Sequence, residues 1–313
     1  PPVPMDTVTT LPDWDLRAIT FSANHGGEFD AQIAVDNGDT VGHILYNEDF
    51  NGGLFYGQGS QSGNWVFSQE NVGDPDSAYR AVSMVLTNTG NPLAVFSAGM
   101  LQHLVLGERV ASQWNFDTIM SAAAVNFTDL QVSASDSIHV AWYDSDRQQL
   151  MHAQRALSGG IWAMDSIAAD SQSTGEFPSL ALDGEVPHVA YYDGSALQLK
   201  YAYRDPVSRV WIRDTAITSV SSPIGKFNEL RLTTAGMPII ACLDEQNTSI
   251  LLAEWDNSQQ QWAVTTIDST NVPNMGRPIR LELDQFDNVW IAYNNNQNFH
   301  RVKLVHRASQ LRE

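Results

Sequence analysis

Several residue types are scarce in this chain of 313 residues, and each scarcity excludes a class of protein. Cys242 is the single cysteine, which excludes an internal disulfide and a cysteine-rich zinc site. Lysine occurs only at Lys200, Lys226 and Lys303, and acidic residues outnumber basic ones by 36 to 17. Because the formal net charge of −19 would repel a polyanion, we expect no nucleic-acid partner.

Long apolar runs and catalytic motifs are missing as well. The sequence has no run of about 18 apolar residues, which predicts that no helix spans a membrane. HExxH, P-loop and GxSxG patterns do not occur, and the eight histidines are scattered. We expect no cofactor and no bound metal. The strong acidity favours a secreted, periplasmic or cell-surface location.

One nine-residue stretch recurs along the chain. IHVAWYDSD at Ile138–Asp146 returns as PHVAYYDGS at Pro187–Ser195. Four further copies begin at Pro238, Val289, Val41 and Pro92. Each copy follows a run such as FTDLQVS and precedes one such as LMHAQR, and in most repeats a fourth run opens with tryptophan. The runs are short, rich in β-branched and aromatic residues and bounded by turn residues, so each repeat predicts four antiparallel strands.

Four antiparallel strands in a repeat of about 40–50 residues are typical of a propeller blade. The tryptophans that open fourth strands are spaced 48–51 residues apart, at Trp14, Trp65, Trp114, Trp162, Trp211 and Trp262. The predicted fold is all-β, a single six-bladed β-propeller domain over residues 1–313. Its blades are predicted at about 29–72, 79–120, 125–168, 175–217, 225–267 and 276–307. A strand at 14–20 is expected to complete the last blade and close the ring.

These repeats resemble the six-bladed propellers of secreted bacterial proteins, a group that includes sialidase-like and lectin-like folds. The resemblance covers nearly the whole chain but implies a fold rather than a chemistry. Sialidases carry an Asp-box, Ser-x-Asp-x-Gly-x-Thr-Trp, which this sequence lacks. Six-bladed fucose-binding lectins repeat an arginine in the second strand and a glutamate in the third. Here the second strands are apolar and aromatic, while Arg155 and Arg204 end third strands, so neither activity transfers to residues of this chain.

Candidate binding residues lie at the rim of the predicted ring where first strands begin and second strands end. Loops on a rigid scaffold are the usual place for binding. Aligning the repeats places one first-strand position at Gln32, Ser83, Asp129, Ser179, Glu229 and Arg280. Asp129, Glu229 and Arg280 break the symmetry of the repeat, as a single axial site requires. Arg280 is expected either to pair with Glu229 of the neighbouring blade or to hold an anionic or sugar group.

A second set of candidates stands at the end of the second strands, at Asn47, Ala98, Asp144, Asp193, Asp244 and Asn295. The three aspartates recur, so they are expected either to cap turns or to bind a ligand or cation at the mouth. Tyr143 and Tyr192 precede two of them and form, with Trp142, a candidate stacking wall, with packing inside the blade as the alternative. The recurring His139 and His188 are interpreted as structural.

Three functions remain open at this point. The favoured one is a non-enzymatic, monomeric, extracytoplasmic module that binds a glycan or a protein partner at the axial mouth. The alternatives are a polysaccharide-active hydrolase or lyase and a structural scaffold at a cell surface. The mouth separates them, because a deep polar pocket with facing carboxylates favours the enzyme, a shallow one favours binding and a plugged one favours the scaffold.

Overall fold

The computed structural model is an all-β propeller of six blades. It describes residues 31–35, 41–48, 53–60, 70–72, 79–98, 103–121, 124–168, 173–219, 221–269, 279–295 and 301–308. Within these ranges every paired strand runs antiparallel to its neighbour, and the six-bladed prediction is confirmed. No helix in the described ranges is long and apolar enough to cross a membrane.

Each blade is a local meander of consecutive strands. Blades 1 to 3 contain β1 (Ala31–Val35), β2 (Val41–Glu48), β3 (Gly53–Ser60), β4 (Glu70–Asn71); β5 (Tyr79–Leu86), β6 (Pro92–Ala98), β7 (His103–Val110), β8 (Gln113–Met120); β9 (Val125–Val132), β10 (Ser137–Asp144), β11 (Gln149–Ala156) and β12 (Ala163–Ala168). Blades 4 to 6 contain β13 (Thr174–Asp183), β14 (Val186–Asp193), β15 (Gln198–Arg204), β16 (Trp211–Ile217); β17 (Ile224–Leu232), β18 (Pro238–Asp244), β19 (Ser249–Asp256), β20 (Gln261–Ser269); β21 (Arg280–Leu283), β22 (Val289–Asn295) and β23 (Arg301–Arg307).

Burial follows the position of a strand within its blade. The second strands β10, β14 and β18 are buried almost end to end, because neighbouring blades cover both of their faces. This explains why the recurring stretch is a continuous apolar run rather than an alternating one. Fourth strands such as β20 are largely exposed and polar. The core therefore lies between the blades, with Trp142 fully buried between blades 2 and 3.

The first strands line a central channel, since β1 contacts β5, β5 contacts β9, β9 contacts β13, β13 contacts β17 and β17 contacts β21. The channel has two rims. At the upper rim, first strands begin opposite the ends of second strands, as in the pairs Val125 with Asp144, Thr174 with Asp193 and Ile224 with Asp244. The lower rim is formed by the turns between first and second strands at 87–91, 133–136, 184–185, 233–237 and 284–288.

The repeated tryptophan packs between blades. Trp211 of blade 4 meets the His152 ring of blade 3 edge to face, with ring centroids 5.3 Å apart. Trp262 of blade 5 meets the Tyr201 ring of blade 4 in the same way, also at 5.3 Å. The predicted closing strand at 14–20 lies outside the described residues, and within them blade 6 has the three strands β21–β23.

Candidate functional site

Phenylalanine occupies a bulge near the upper rim in three consecutive first strands. The ladder between β9 and β10 shifts beside Tyr143, which leaves Phe127 as the extra residue, and β13 and β17 shift in the same way. Phe127, Phe177 and Phe227 have φ values of 58°, 54° and 51°. Bulky residues rarely adopt this left-handed region, and holding one there costs about 1–3 kcal/mol. Contacts with the surrounding structure must therefore offset the cost of this conformation at the three positions.

The three rings contact one another around the channel mouth, and we call Phe127, Phe177 and Phe227 the phenylalanine arc. Ring centroids are 4.1 Å apart between Phe127 and Phe177 and 4.6 Å apart between Phe177 and Phe227. Phe127, at one end, is 37% exposed. The bulge at Phe177 in blade 4 is bonded by blade 5, since the Asn228 side-chain amide donates to the carbonyl of Phe177 at 2.7 Å. The upper rim thus presents an accessible aromatic surface.

The aligned first-strand residues lie two positions further along the same strands. Their partners across the ladder are Leu45 for Gln32, Val95 for Ser83, Ala141 for Asp129, Ala190 for Ser179, Ala241 for Glu229 and Ala292 for Arg280. Several of these side chains connect one blade to the next. The Leu180 amide donates to Asp129 Oδ2 at 2.7 Å, and the Leu230 amide donates to Ser179 Oγ at 2.9 Å.

Charged side chains of blades 5 and 6 form an alternating set that we call the channel cluster: Glu229, Arg231, Arg280 and Glu282. Arg280 Nη1 donates to Glu229 Oε2 at 2.9 Å, which is one of the two roles that the sequence left open for Arg280. Arg231 Nη2 lies 3.0 Å from Glu229 Oε1 and 2.7 Å from Glu282 Oε1. Glu229 is 9% exposed, so two arginines neutralise a largely buried carboxylate.

Sequence reasoning missed Arg231 and Glu282. Residues i and i+2 of a strand share one face, so each stands beside a predicted residue, Glu229 or Arg280. That alternation was the signal available in the sequence.

Asp129 lies near the channel cluster and has a raised pKa. It keeps some accessible surface in the channel, but protein atoms surround it closely. Burial, followed by the negative charge of Glu229, raises the pKa of the Asp129 carboxyl to about 6, against hydrogen bonds from the Leu180 and Leu130 amides and the charge of Arg231 that lower it. The carboxyl is therefore partly protonated in weakly acidic solution.

The aspartates that end second strands cap their own turns. Asp144 Oδ1 accepts the amide hydrogens of residues 146 and 147 at 3.1 and 3.0 Å, and Asp193 Oδ1 accepts those of residues 195 and 196, both at 3.1 Å. Asp244 Oδ1 accepts the Asn247 amide hydrogen at 3.1 Å. Burial alone would raise the pKa of Asp244, but hydrogen bonds from Ser222 and Asn247 outweigh it and lower the pKa.

Two further sequence candidates are buried. Tyr143 is 5% exposed and Tyr192 is 3% exposed, so their rings pack within the blades and leave little surface for stacking. Lys226 Nζ lies 5.5 Å from the centroid of the Tyr192 ring and 2.8 Å from Glu245 Oε2. Among the described residues, no three histidine, cysteine or acidic side chains converge in a way that could hold a metal ion.

Buried histidine pairs correct the alignment of the first blade. His43 Nδ1 lies 2.6 Å from the Tyr56 hydroxyl, and His139 Nδ1 lies 3.2 Å from His152 Nε2, each pair 13 residues apart. His43 is thus equivalent to His139, and the residue equivalent to Asp144 is Glu48. The expectation of Asn47 was wrong by one residue, because the two tyrosines of the motif were aligned instead of the two histidines.

The histidines themselves belong to the core. His139 and His188 are 1% and 7% exposed, and His188 Nδ1 lies 2.5 Å from the Tyr201 hydroxyl. Burial, with help from the neighbouring His152, lowers the pKa of His139 to about 4, and burial lowers the pKa of His188 to about 4. These side chains are neutral at physiological pH.

A separate cleft of about 220 Å³ opens on one side of blade 4. It is lined by Thr174, Tyr191, Asp193, Lys200, Arg213, Asp214 and Thr215. Lys200 Nζ donates to Thr215 Oγ1 at 2.7 Å within it. The cleft carries both signs of charge and lies on β13–β16, and it includes Thr174 and the candidate Asp193 at the upper rim. It contains no residue of the arc or of the channel cluster.

No protein-family model and no curated protein matches this sequence, whereas solved structures match its fold. A protein of unknown function from Dyadobacter fermentans is 10% identical with a TM-score of 0.58, over 88% of this chain and 92% of that one. Hydrazine synthase from Kuenenia stuttgartiensis is 10% identical with a TM-score of 0.58, over 83% and 75%. The propeller of Dos1 is 8% identical with a TM-score of 0.50, over 84% and 66%. Similarity at this level shows the propeller fold alone.

Proposed function

We propose that the protein is a non-enzymatic binding module whose ligand, a glycan or a protein segment, contacts the phenylalanine arc at the upper rim. The observation that carries this proposal is the backbone of the arc. Three large rings are held in a left-handed conformation in consecutive blades, and they end in a ring that is 37% exposed. Backbone strain of this kind concentrates at binding and active sites.

The surroundings of the arc have the composition of a ligand site. Such sites are mostly apolar or aromatic, with a few polar groups that orient the ligand. Asp129, two residues beyond Phe127 on β9, and Arg280, at the start of β21 in the blade next to Phe227, supply those groups. Arg280 is accessible for this role, because its side chain is 41% exposed although one nitrogen bonds Glu229. A ligand can thus contact both the rings and the charged groups.

We further propose that the module acts outside the cytoplasm and as a monomer. A net charge of −19 suits a protein that must stay dispersed in a salt-containing medium. The single thiol, Cys242, is fully buried, so an oxidising medium has no exposed thiol to modify among the described residues.

A polysaccharide-active hydrolase is the alternative that one observation favours. The pKa of Asp129 is raised by burial and then by the charge of Glu229, so the channel holds two neighbouring carboxyl groups, one of which suits a general acid. Against this, both oxygens of Glu229 are bonded to arginines and are not free to act on a substrate. The two functions are separated by incubating the protein with any polysaccharide that it binds and measuring the formation of new reducing ends. We expect no reducing ends to form.

The proposal is tested by finding a ligand and then altering the mouth. A labelled sample is applied to a printed array of plant, animal and bacterial glycans, and the strongest hit is titrated calorimetrically. We expect Phe127→Ala and Arg280→Ala each to weaken binding about ten- to a hundredfold, from the loss of a stacking surface or of a charged donor.

The matched control for this titration is Ile161→Ala. Its side chain is 95% exposed between β11 and β12, far from the mouth, so binding should not change. Equal affinities for the parent and both mouth variants would move the site away from the channel.

A further inference from the structure

The phenylalanine arc stops at a position where the backbone continues but the ring does not. Around the channel, β5 of blade 2 contacts β9, so Ala81 follows Phe127. Ala81 is the extra residue of the β5 bulge and has φ 53°, within a few degrees of the three phenylalanines. Blade 2 therefore repeats the local conformation of blades 3 to 5 with a methyl group in place of a phenyl ring.

The next blade bonds the carbonyl of this fourth position, as it does for one of the phenylalanines. The Thr128 hydroxyl of blade 3 donates to the Ala81 carbonyl at 2.5 Å, as the Asn228 amide does to the Phe177 carbonyl. Phe127 contacts Phe177 on one side and keeps 37% of its surface exposed. We call the position beside Phe127 at which Ala81 lacks a ring the slot.

The slot has a hydrogen-bonding group at its base. Ser83 lies two residues beyond Ala81 on β5, and Asp129 lies two residues beyond Phe127 on β9. Ser83 Oγ donates to Asp129 Oδ1 at 3.2 Å. Asp129 Oδ1 also accepts the Leu130 amide at 2.8 Å, and Oδ2 accepts the Leu180 amide at 2.7 Å. A carboxylate offers about four acceptor positions, so these bonds from the described residues occupy three and leave one on Oδ2. A group that enters the slot meets one flat apolar face and one unused acceptor.

We propose that the slot takes a single pyranose ring of a neutral glycan, with a C–H face of the sugar on Phe127 and a hydroxyl donating to Asp129. This rests on the proposed binding function and names its ligand class. A pyranose has both features that the slot requires. A purely apolar ring would cover the remaining acceptor of Asp129 without a donor, which is unfavourable. An acidic sugar would place its charge near Asp129 and Glu229, so the neutral class fits best.

The test fills the slot with the kind of ring that the chain uses elsewhere. Ala81→Phe adds a fourth phenylalanine at a backbone position that already has the required φ. The probes are the methyl glycosides of glucose, galactose, mannose, fucose and N-acetylglucosamine, tested on the full chain by saturation-transfer NMR and titration. We expect at least one to bind the parent protein, and Ala81→Phe to bind it at least tenfold more weakly.

Two further variants serve as controls for this result. Ala134→Phe adds the same ring to an exposed turn of the lower rim and should bind the sugar as the parent does. Phe127→Leu keeps an apolar side chain but removes the flat face, and it should lose at least tenfold in affinity even if Ala81→Phe does not fold.

The outcomes separate the slot from the wider proposal. If Ala81→Phe binds as the parent does while Arg280→Ala weakens the same sugar, the slot is wrong and the mouth remains the site. If none of the five glycosides binds the parent protein, the pyranose assignment is overturned. If N-acetylphenylalanine amide binds instead and Ala81→Phe abolishes that binding, the occupant is an aromatic side chain of a protein partner.

Discussion

The two rims of the channel are built from the same strands but are held together differently. At the lower rim, polar side chains link the turns of successive blades: Asn88 Nδ2 donates to Asp136 Oδ1 at 2.7 Å, and Thr234 Oγ1 donates to Asp287 Oδ2 at 2.7 Å. At the upper rim, Asp144 caps its own turn, and the contacts between blades come from aromatic rings in strained backbone and from single side-chain bonds to the bulge carbonyls. The turns that side chains link from blade to blade thus include those of the lower rim, whereas the Asp144 turn at the upper rim is capped from within.

The largest effect on stability is expected inside the channel. Glu229→Gln removes the negative charge that two arginines share and sets an amide N–H₂ against one of them. Because Glu229 is 9% exposed, we expect the free energy of unfolding to fall by about 2 kcal/mol, measured by urea denaturation. The same variant should lower ligand affinity only through Arg280.

Glu282→Gln is the matched comparison for that measurement. Glu282 binds the same Arg231, but its side chain is 66% exposed, so its loss should cost less than about 1 kcal/mol. Equal losses of unfolding free energy in the two variants would show that solvent screens the whole channel cluster. The buried ion pair of Glu229 would then stabilise the contact between blades no more than an exposed one.

A smaller effect distinguishes the rims directly. Asn88→Ala removes a side chain that links blades 2 and 3, and we expect a loss of about 1 kcal/mol. Arg147→Ala removes an exposed upper-rim side chain whose one side-chain bond to the described residues is to Asp144 of its own turn, and we expect a change within about 0.5 kcal/mol. If Arg147→Ala proved as costly as Asn88→Ala in thermal and urea unfolding, the contrast between the rims would not hold.

The strands and blades could be predicted from the sequence better than the candidate site. The second strands could be recognised because they are buried on both faces, and the first-strand register followed from them, including the ion pair between Arg280 and Glu229. The arc could not be recognised. In FTDLQVS the phenylalanine resembles any apolar residue that opens a strand, and its left-handed conformation depends on an extra residue in the ladder, which only the paired strand reveals.

The role of the second-strand aspartates was also beyond the sequence. A carboxylate before a turn is compatible with capping and with ligand binding, and the choice depends on which way the oxygens face. In the structure the oxygens of Asp144 and Asp193 face the amides of their own turns. Repetition of a polar residue in several blades was therefore an indication of turn geometry.

The last prediction concerns how stability depends on pH rather than its value at one pH. The pKa of Asp129 is raised from 3.8 to about 6 in the folded protein, so the folded state binds more protons than the unfolded state in this window, and Asp129 makes stability fall as pH rises from about 4 to about 6. The pKa of His139 is lowered from 6.5 to about 4, so the unfolded state binds more protons, and His139 makes stability rise over nearly the same window. In the parent protein the two contributions oppose each other.

Removing either titrating group should make the pH dependence that the other contributes visible in the stability. Asp129→Asn should steepen the rise of melting temperature between pH 4 and 6, and His139→Gln should flatten it. The slopes are compared rather than the melting temperatures themselves, because Asp129→Asn also places an amide N–H₂ where Asp129 now accepts the Leu180 amide, a loss that does not vary with pH. Parallel profiles for Asp129→Asn and the parent would mean that Asp129 titrates in the folded channel as it does in the unfolded chain. The enclosed carboxyl on which the slot depends would then be open to water, and the upper end of the channel would be wetter than its contacts indicate.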